Sequence, residues 1–522
     1  PPNLSPHMVN STYSCKNAEN NYNQARTQRT TRSDMTLLLP FRKLTISHFV
    51  KISRHNNARF AVSSSAYRGI KKSRAIVEEC VNNRMPVYGV TTGVGDFCDV
   101  VLSPEQLLDF QRRLIVSHAV GSAPYLEEPV ARGTLILLLN AFAKGYSGVT
   151  VELVKRLLAF LNNGVLPNIP IQGSLGASGD LIPLAHVAKT LLEHGDTYVF
   201  KPKEALAVMN GTAAVTSYAA HAVYRATNVF ETALAALGTF LEICHASRDP
   251  FDSRIHNLKP HDGQRHVAKT LLRQTKKSAL LGQSGRRVQD AYTVRCAPQI
   301  DGAMFDVMWH TTHDIEQEMN SVTDNPLIFP NRKPHIVSGG NFHAEVVAFA
   351  CDSLRATLAA WSKLIERRIE RLLNPQLNNL TPFLVRGKRG LNTGLMILQY
   401  LVAALAAENC LLAHPASVES IPVSANQEDF VSMAMTSAHA TMQVVVNCEK
   451  IAAIFLLTIA QAIDVMVEHS HVSMSDFSPH SQALYETIRM VAPPIESDRD
   501  MSDDIVALQN HIHNGDLFTK TF

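Results

Sequence analysis

Cysteine is scarce and scattered in this sequence. Eight residues (Cys15, Cys80, Cys98, Cys244, Cys296, Cys351, Cys410 and Cys448) are spread over 522 positions with no CxxC pair. A disulfide framework belongs to short secreted chains, so these read as reduced thiols in a cytoplasmic protein. Charge is also sparse: 49 Lys and Arg against 46 Asp and Glu leave a net charge of +3. No basic stripe interleaves with aromatics, which excludes nucleic acid as the expected partner. There are 22 histidines but no HExxH or similar spacing, so no metal is expected. No apolar run reaches the roughly 20 residues of a membrane span. The longest, Ile451 to Val467, is interrupted by Gln461 and Asp464 and reads as a core helix. What remains is 46% hydrophobic residues, enough for a large buried core and extensive subunit contacts.

Residues 1–34 are rich in Asn, Ser, Thr and Arg and too poor in large apolar groups to offset their ordering entropy. They read as a disordered leader or tag, with Met35 as the natural start. Residues 107–118, 151–162, 213–247, 341–373 and 430–470 carry long stretches nearly free of Gly and Pro and predict helices. The Arg/Lys-rich connection 248–288 predicts mostly loop. Tyr88-Gly89-Val90-Thr91-Thr92-Gly93-Val94-Gly95 is too rich in Gly and Thr for a helix and predicts a mobile surface loop. No Gly-Lys-Ser/Thr follows it, so it is not a phosphate loop.

Gly173-Ser174-Leu175-Gly176-Ala177-Ser178-Gly179-Asp180 stands out, with Leu181 to His186 behind it. Its small residues permit a sharp backbone turn, and Asp180 with Pro183 predicts a helix start. This block resembles the signature of the histidine and phenylalanine ammonia-lyase family. The resemblance implies that Ala177, Ser178 and Gly179 cyclise on themselves into methylidene-imidazolone (MIO), with no metal or diffusible cofactor. Gly179 suits the step because its nitrogen must reach the Ala177 carbonyl unobstructed. Ser178 supplies the hydroxyl that leaves.

Further blocks carry the same resemblance over roughly residues 80–480. In the Tyr88 loop it implies that Tyr88 is the catalytic base, although Val90, Thr91 and Val94 depart from the usual Ile, Asn and Phe. An ordinary tyrosine has a pKa of about 10. The site must therefore favour tyrosinate, which helix N-termini and Arg295 are expected to do. Ser117-His118 implies a polar substrate ring beside His118. Asn210-Gly211 reads locally as a helix end, and by resemblance Asn210 orients the cofactor. Gln289-Asp290-Ala291-Tyr292-Thr293-Val294-Arg295 implies that Gln289 contacts the amino acid and Tyr292 lies near the cofactor. Arg295 would hold the substrate carboxylate, which its planar fork matches. Phe329 is expected near the site. Glu428 stands where phenylalanine enzymes usually have Asp and implies a hold on an imidazole ring, while Phe430 replaces a common His.

Together these blocks imply an all-α chain with a long central bundle of the ammonia-lyase and fumarase-like type. Its parts would be an N-terminal MIO-bearing domain (35–205), the bundle (206–480) and a C-terminal helical tail (481–522). The resemblance implies a homotetramer whose active sites are shared between subunits. It implies removal of ammonia from L-histidine to give trans-urocanate. A tyrosine or phenylalanine lyase, a 2,3-aminomutase, and, outside the class, an inactive helical scaffold are the alternatives.

Overall fold

The computed structural model describes residues 36–195, 198–282, 288–470 and 472–517. The expected leader lies outside them. Strand β1 (Thr36–Leu39) pairs in parallel with β2 (Arg59–Val62), Thr36 opposite Arg59, around helix α1 (Ile46–Arg54). Helix α2 (Ser64–Asn82) leads into the Tyr88 loop, and α3 (Pro104–His118), α4 (Glu128–Ala143) and α5 (Val151–Asn163) precede the Gly173 block. Helices α6 (Leu181–Glu193) and α7 (Glu204–Met209) follow it.

The local chemistry sets these ends. Ser103 and Gln106 form a capping box around Pro104 at the start of α3. The Leu153 N–H donates to Thr150 Oγ1 at the start of α5 (3.1 Å), and Gly164 ends that helix at φ +71°. The connection after α6 is short and anchored: Tyr198 and Phe200 are buried, and the Tyr198 hydroxyl donates to Glu204 Oε2 (2.9 Å).

Beyond α7 run α8 (Ala213–Ile243), α9 (Ser253–Leu258), α10 (Asp262–Gln274) and α11 (Ala297–Met319). A small antiparallel pair follows, β3 (Leu327–Ile328) with β4 (Ile336–Val337). Then come α12 (Glu345–Leu373), α13 (Met396–Leu412), α14 (Ala434–His469), α15 (Pro479–Val491) and α16 (Ser502–Asn514). The all-α expectation holds, with the two small strand pairs at the margins. The expected loop at 248–288 is corrected by α9 and α10. Its basic residues line the outside of α10, while Val267, Ala268 and Leu271 make a narrow buried stripe that packs on α11.

Helices α8, α11, α12 and α14 form the central bundle. α14 is its axis, some 54 Å long at 1.5 Å per residue over its 36 residues. From Ile451 to Met466 every residue is buried, as a helix apolar on all sides must be. Its two polar interruptions are satisfied inside the protein. Gln461 Nε2 donates to the carbonyl of Ile495 (2.8 Å), and Asp464 accepts from Tyr485 (2.6 Å) and Arg489 (2.5 Å). Buried bidentate pairs clamp the long helices: Arg225 to Glu449 (2.8 and 2.7 Å) and Arg368 to Asp301 (2.9 and 2.6 Å).

α13 is the exception. Contrary to the expectation from the sequence, two segments, Met396–Val418, which contains α13, and α14, are long and apolar enough to cross a membrane, but α14 is wrapped by the protein's own helices. α13 is little covered, and Ile397, Tyr400 and Leu411 stand 58%, 65% and 83% exposed. The seven described cysteines are free thiols. No cluster of metal-binding side chains occurs among the described residues.

Candidate active site

The Gly173–Asp180 block sits where several helices begin. Ala344, directly before α12, donates its N–H to the Gly176 carbonyl (3.1 Å). Met433, directly before α14, donates to the Leu175 carbonyl (2.7 Å), and Ser432 Oγ donates to Gly176 (3.0 Å). Asp180 heads α6, and its N–H donates to the Gly211 carbonyl beside the start of α8 (2.7 Å). Four helix N-termini thus surround one loop, and their aligned peptide dipoles favour negative charge there.

Asp180 does more than start a helix. Its carboxylate does not cap α6; it accepts from Val215 N–H in α8 (2.8 Å) and from Ser174 Oγ (3.0 Å). Complete burial pushes its pKa up to about 7, and the bonds from Val215, Ser174 and Ala214 pull against that. Gly176 and Gly179 sit at φ +69° and +72°, the left-handed region that glycine adopts freely.

Between them, Ser178 is held at both ends. Its Oγ donates to Glu428 Oε1 (2.7 Å), and its carbonyl accepts from Asn210 Nδ2 (2.7 Å). Asn210 is the C-cap of α7, so its local and functional readings describe one position. Glu428 is carried by a bent segment in which Ser424, Ala425 and Asn426 have φ +52°, +53° and +67°. Left-handed backbone costs about 1–2 kcal/mol per non-glycine residue. The bend lets Val423 and Glu428 exchange both backbone hydrogen bonds (3.0 and 3.3 Å).

Tyr88 joins the same group. Its hydroxyl accepts from the Gly95 N–H (3.3 Å), and Ser424 Oγ stands 3.0 Å from where a Cβ on Gly95 would lie. Burial pushes the Tyr88 phenol above its usual range, and Glu428 and Cys98 push in the same direction; only the Gly95 N–H opposes them. Within one chain, burial and these neighbours therefore work against the expected tyrosinate, and the Gly95 N–H works for it. The loop is also not a free surface loop: Val90, Thr91 and Thr92 are buried. Val90 packs with Val77 and Ile328, and Thr91 Oγ1 accepts from Val87 N–H (2.9 Å) and donates to the Met85 carbonyl (2.5 Å). The substituted positions supply their own packing.

The remaining expected residues divide. His118 ends α3 half-buried, with Nδ1 against the Leu114 carbonyl (2.7 Å) and Ser117 Oγ (3.0 Å). Phe329 follows Ile328 out of the cluster beneath the Tyr88 loop, and its ring lies on Tyr146, 5.5 Å between centroids. Two aromatic residues, Phe342 and Phe430, each stand two positions before a residue bonded to Gly176, Ala344 and Ser432 respectively. The sequence places Phe342 within the expected helix 341–373, whereas the helix begins at Glu345, after the turn that the Gly339-Gly340 pair marks. Phe430 stacks on His343 (6.3 Å, 20°), whose Nε2 meets the Phe430 carbonyl (3.2 Å).

Gln289, Tyr292 and Arg295 lie elsewhere. Arg368 Nε donates to the Thr293 carbonyl (3.2 Å). Ala344 and Arg368 are 24 residues apart along α12, which at 1.5 Å per residue separates them by about 36 Å. No side chain spans that distance, so Arg295 and Ser178 of one chain cannot grip one small substrate. Tyr292 is 68% exposed, with the Arg295 guanidinium over its ring at 4.6 Å. Arg295 Nε is buried and without a hydrogen-bond partner among the described residues. Gln289 is exposed.

The family model for aromatic amino acid lyases matches residues 44–490. Histidine ammonia-lyase of Symbiobacterium thermophilum is 41% identical, the match covering 91% of this chain and 96% of that protein. The enzyme of the same name from Bacillus subtilis is 40% identical over 88% and 92% of the two chains. Among solved structures, histidine ammonia-lyase from Trypanosoma cruzi superposes with a TM-score of 0.84 at 36% identity, covering 93% of this chain and 94% of that one. A tyrosine aminomutase from Streptomyces globisporus superposes with a TM-score of 0.85 at 32% identity, covering 93% and 98%. With most of its length and its whole helical bundle matched, this chain belongs to the aromatic amino acid lyase family.

Proposed function

We propose that the protein removes ammonia from L-histidine to give trans-urocanate. The observation that carries this reading is Ser178, fixed between Asn210 at its carbonyl and Glu428 at its hydroxyl within the glycine-flanked tripeptide. The tripeptide fits the MIO group the family uses. Ala177 and Gly179 are buried, and the position of a Gly179 Cβ is filled by the Gly211 backbone, its oxygen 2.4 Å away. Once formed, that group supplies an electrophile that makes the substrate amine a better leaving group.

The chain's own residues do the rest. Tyr88 takes the β-proton on its phenol oxygen, and the Gly95 N–H and nearby helix N-termini stabilise the phenolate this requires. Arg295 holds the substrate carboxylate. Because its segment is tied to Arg368, about 36 Å along α12 from the Ala344 that meets the Gly173–Asp180 loop, it serves the site of a second copy, together with Tyr292 and Gln289. The unpaired Arg295 Nε and the bare apolar face of α13 support such an assembly, a homotetramer in the cytoplasm. His118 and Glu428 favour an imidazole ring, and the similarity to histidine ammonia-lyases at about 40% identity supports the same substrate.

An aminomutase is the second reading, supported by the superposition on tyrosine aminomutase. Incubation with L-His, L-Tyr and L-Phe, followed by near-UV absorbance, ammonia release and β-amino acid analysis, separates the two. Urocanate from L-His alone, absent in Ser178→Ala, is the expected result. Coumarate, cinnamate or a β-amino acid would replace the substrate or the reaction.

A further inference from the structure

Glu428 has one side-chain hydrogen bond among the described residues, and it is to the hydroxyl that must leave if the tripeptide is to become an electrophile. We infer that Glu428 is the acid catalyst of cofactor formation, acting on Ser178 before any substrate arrives. This inference rests on the proposed cofactor chemistry. It goes further by giving one side chain a role in making the site as well as in using it.

The chemistry needs two dehydrations. In the first, the Gly179 nitrogen bonds to the Ala177 carbonyl carbon. The Ala177 oxygen leaves as water with the protons of the Gly179 and Ser178 amides, and a carbon–nitrogen double bond closes the ring. In the second, the Ser178 Cα–H bond breaks, its electron pair becomes the Cα–Cβ double bond, and the Cβ–Oγ bond breaks. The leaving hydroxide needs a proton. Glu428 in its acid form delivers it at Oγ, which leaves Glu428 as the carboxylate, and a proton equal to the one lost from Cα restores the acid form. Two waters leave and nothing is oxidised or reduced.

The geometry assigns partners to both ends of that elimination. As the Cα proton departs, charge flows onto the Ser178 carbonyl oxygen, where Asn210 Nδ2 already donates at 2.7 Å. As the Cβ–Oγ bond breaks, charge gathers on Oγ, where Glu428 Oε1 stands at 2.7 Å. The left-handed turn at Ser424–Asn426 and the Val423 pairing hold Glu428 toward the loop rather than free in solvent.

The test reads the mass of the peptide carrying residues 173–186 from the full-length protein. Wild type should show the loss of two waters. Glu428→Gln keeps the shape but cannot donate an acid proton. It should accumulate peptide at full mass or short by one water, with formation slowed about a hundredfold, as for loss of a general acid. Circular dichroism checks that the helices are intact, and Glu428→Asp should recover part of the mass loss. Two-water loss at the wild-type rate in both Glu428→Gln and Glu428→Ala would overturn the inference while leaving the cofactor reading intact. A wild-type peptide at full mass would overturn both.

Discussion

Gly179 lies against Gly211 so tightly that a Cβ on the first would sit 2.4 Å from the oxygen and 2.5 Å from the nitrogen of the second. The two glycines come from opposite ends of the α6–α7 region, and the Asp180 N–H to Gly211 carbonyl bond locks them together (2.7 Å).

The two positions should respond differently to one methyl group. Gly179→Ala combines backbone overlap with a φ of +72°, so the loop must move. Activity should fall at least about a hundredfold, since displacements of about 1 Å have that effect. Gly211→Ala meets only Thr323 Oγ1 at 3.0 Å and should cost a few-fold at most. Steady-state rates of both variants check this, and near-normal activity in Gly179→Ala would refute the packing argument.

Asp180 gives a pH signature. Its pKa is raised to about 7 in the folded chain, against an ordinary value near 4 when unfolded. Between these values the native state binds more protons than the unfolded one, so this group's contribution to stability is present below about pH 4 and is lost as pH rises to about 7. Asp180→Asn removes that dependence. The Tm of Asp180→Asn minus that of wild type should rise across this window and level off above it. A flat difference would show that the carboxylate is not perturbed.

Arg295 can be tested by mixing inactive chains. Ser178→Ala and Arg295→Ala should each be inactive alone. Co-expressed, they should form mixed oligomers in which roughly a quarter of sites combine an intact Ser178 with an intact Arg295 from another copy, assuming random assembly. Recovered histidine turnover in the mixture is the expected outcome. None would mean that both residues are needed from one chain.

His118 should tune substrate choice. Its Nδ1 is used within α3, which leaves Nε2 for a ligand. His118→Leu should lower kcat/KM for L-His relative to L-Phe by about tenfold or more, because a polar ring loses its partner while an apolar ring gains surface. An unchanged ratio would remove His118 from the substrate pocket.

Much of this was legible in the sequence because its carriers are local. The glycine-flanked tripeptide, the long stretches without Gly or Pro and the Asn210 cap announce themselves over a few residues. What the sequence hid was non-local. The bond from Asp180 to Val215 crosses 35 residues, and the approach of Ala344 to Gly176 crosses 168. Neither leaves a pattern in composition. The α10 helix was masked by its basic outer face, whose charges dilute a three-residue apolar stripe. Phe329 and Phe342 are both aromatic and both close to motif blocks, so only the path of the backbone separates them.

Helix α12 acts as a ruler between two half-sites, and a ruler cannot be lengthened by one mark. A single inserted residue would advance everything beyond it by 1.5 Å and rotate it by about 100°. That would turn Arg368 away from Asp301 and carry the Thr293 segment with it. The spacing between the end that meets the Gly173–Asp180 loop and the end that meets the Thr293 segment is therefore fixed by residue count. Length variation among such chains is expected in connections such as 195–203 and not inside α12, and a chimera that splices bundles of unequal length should fold without reacting.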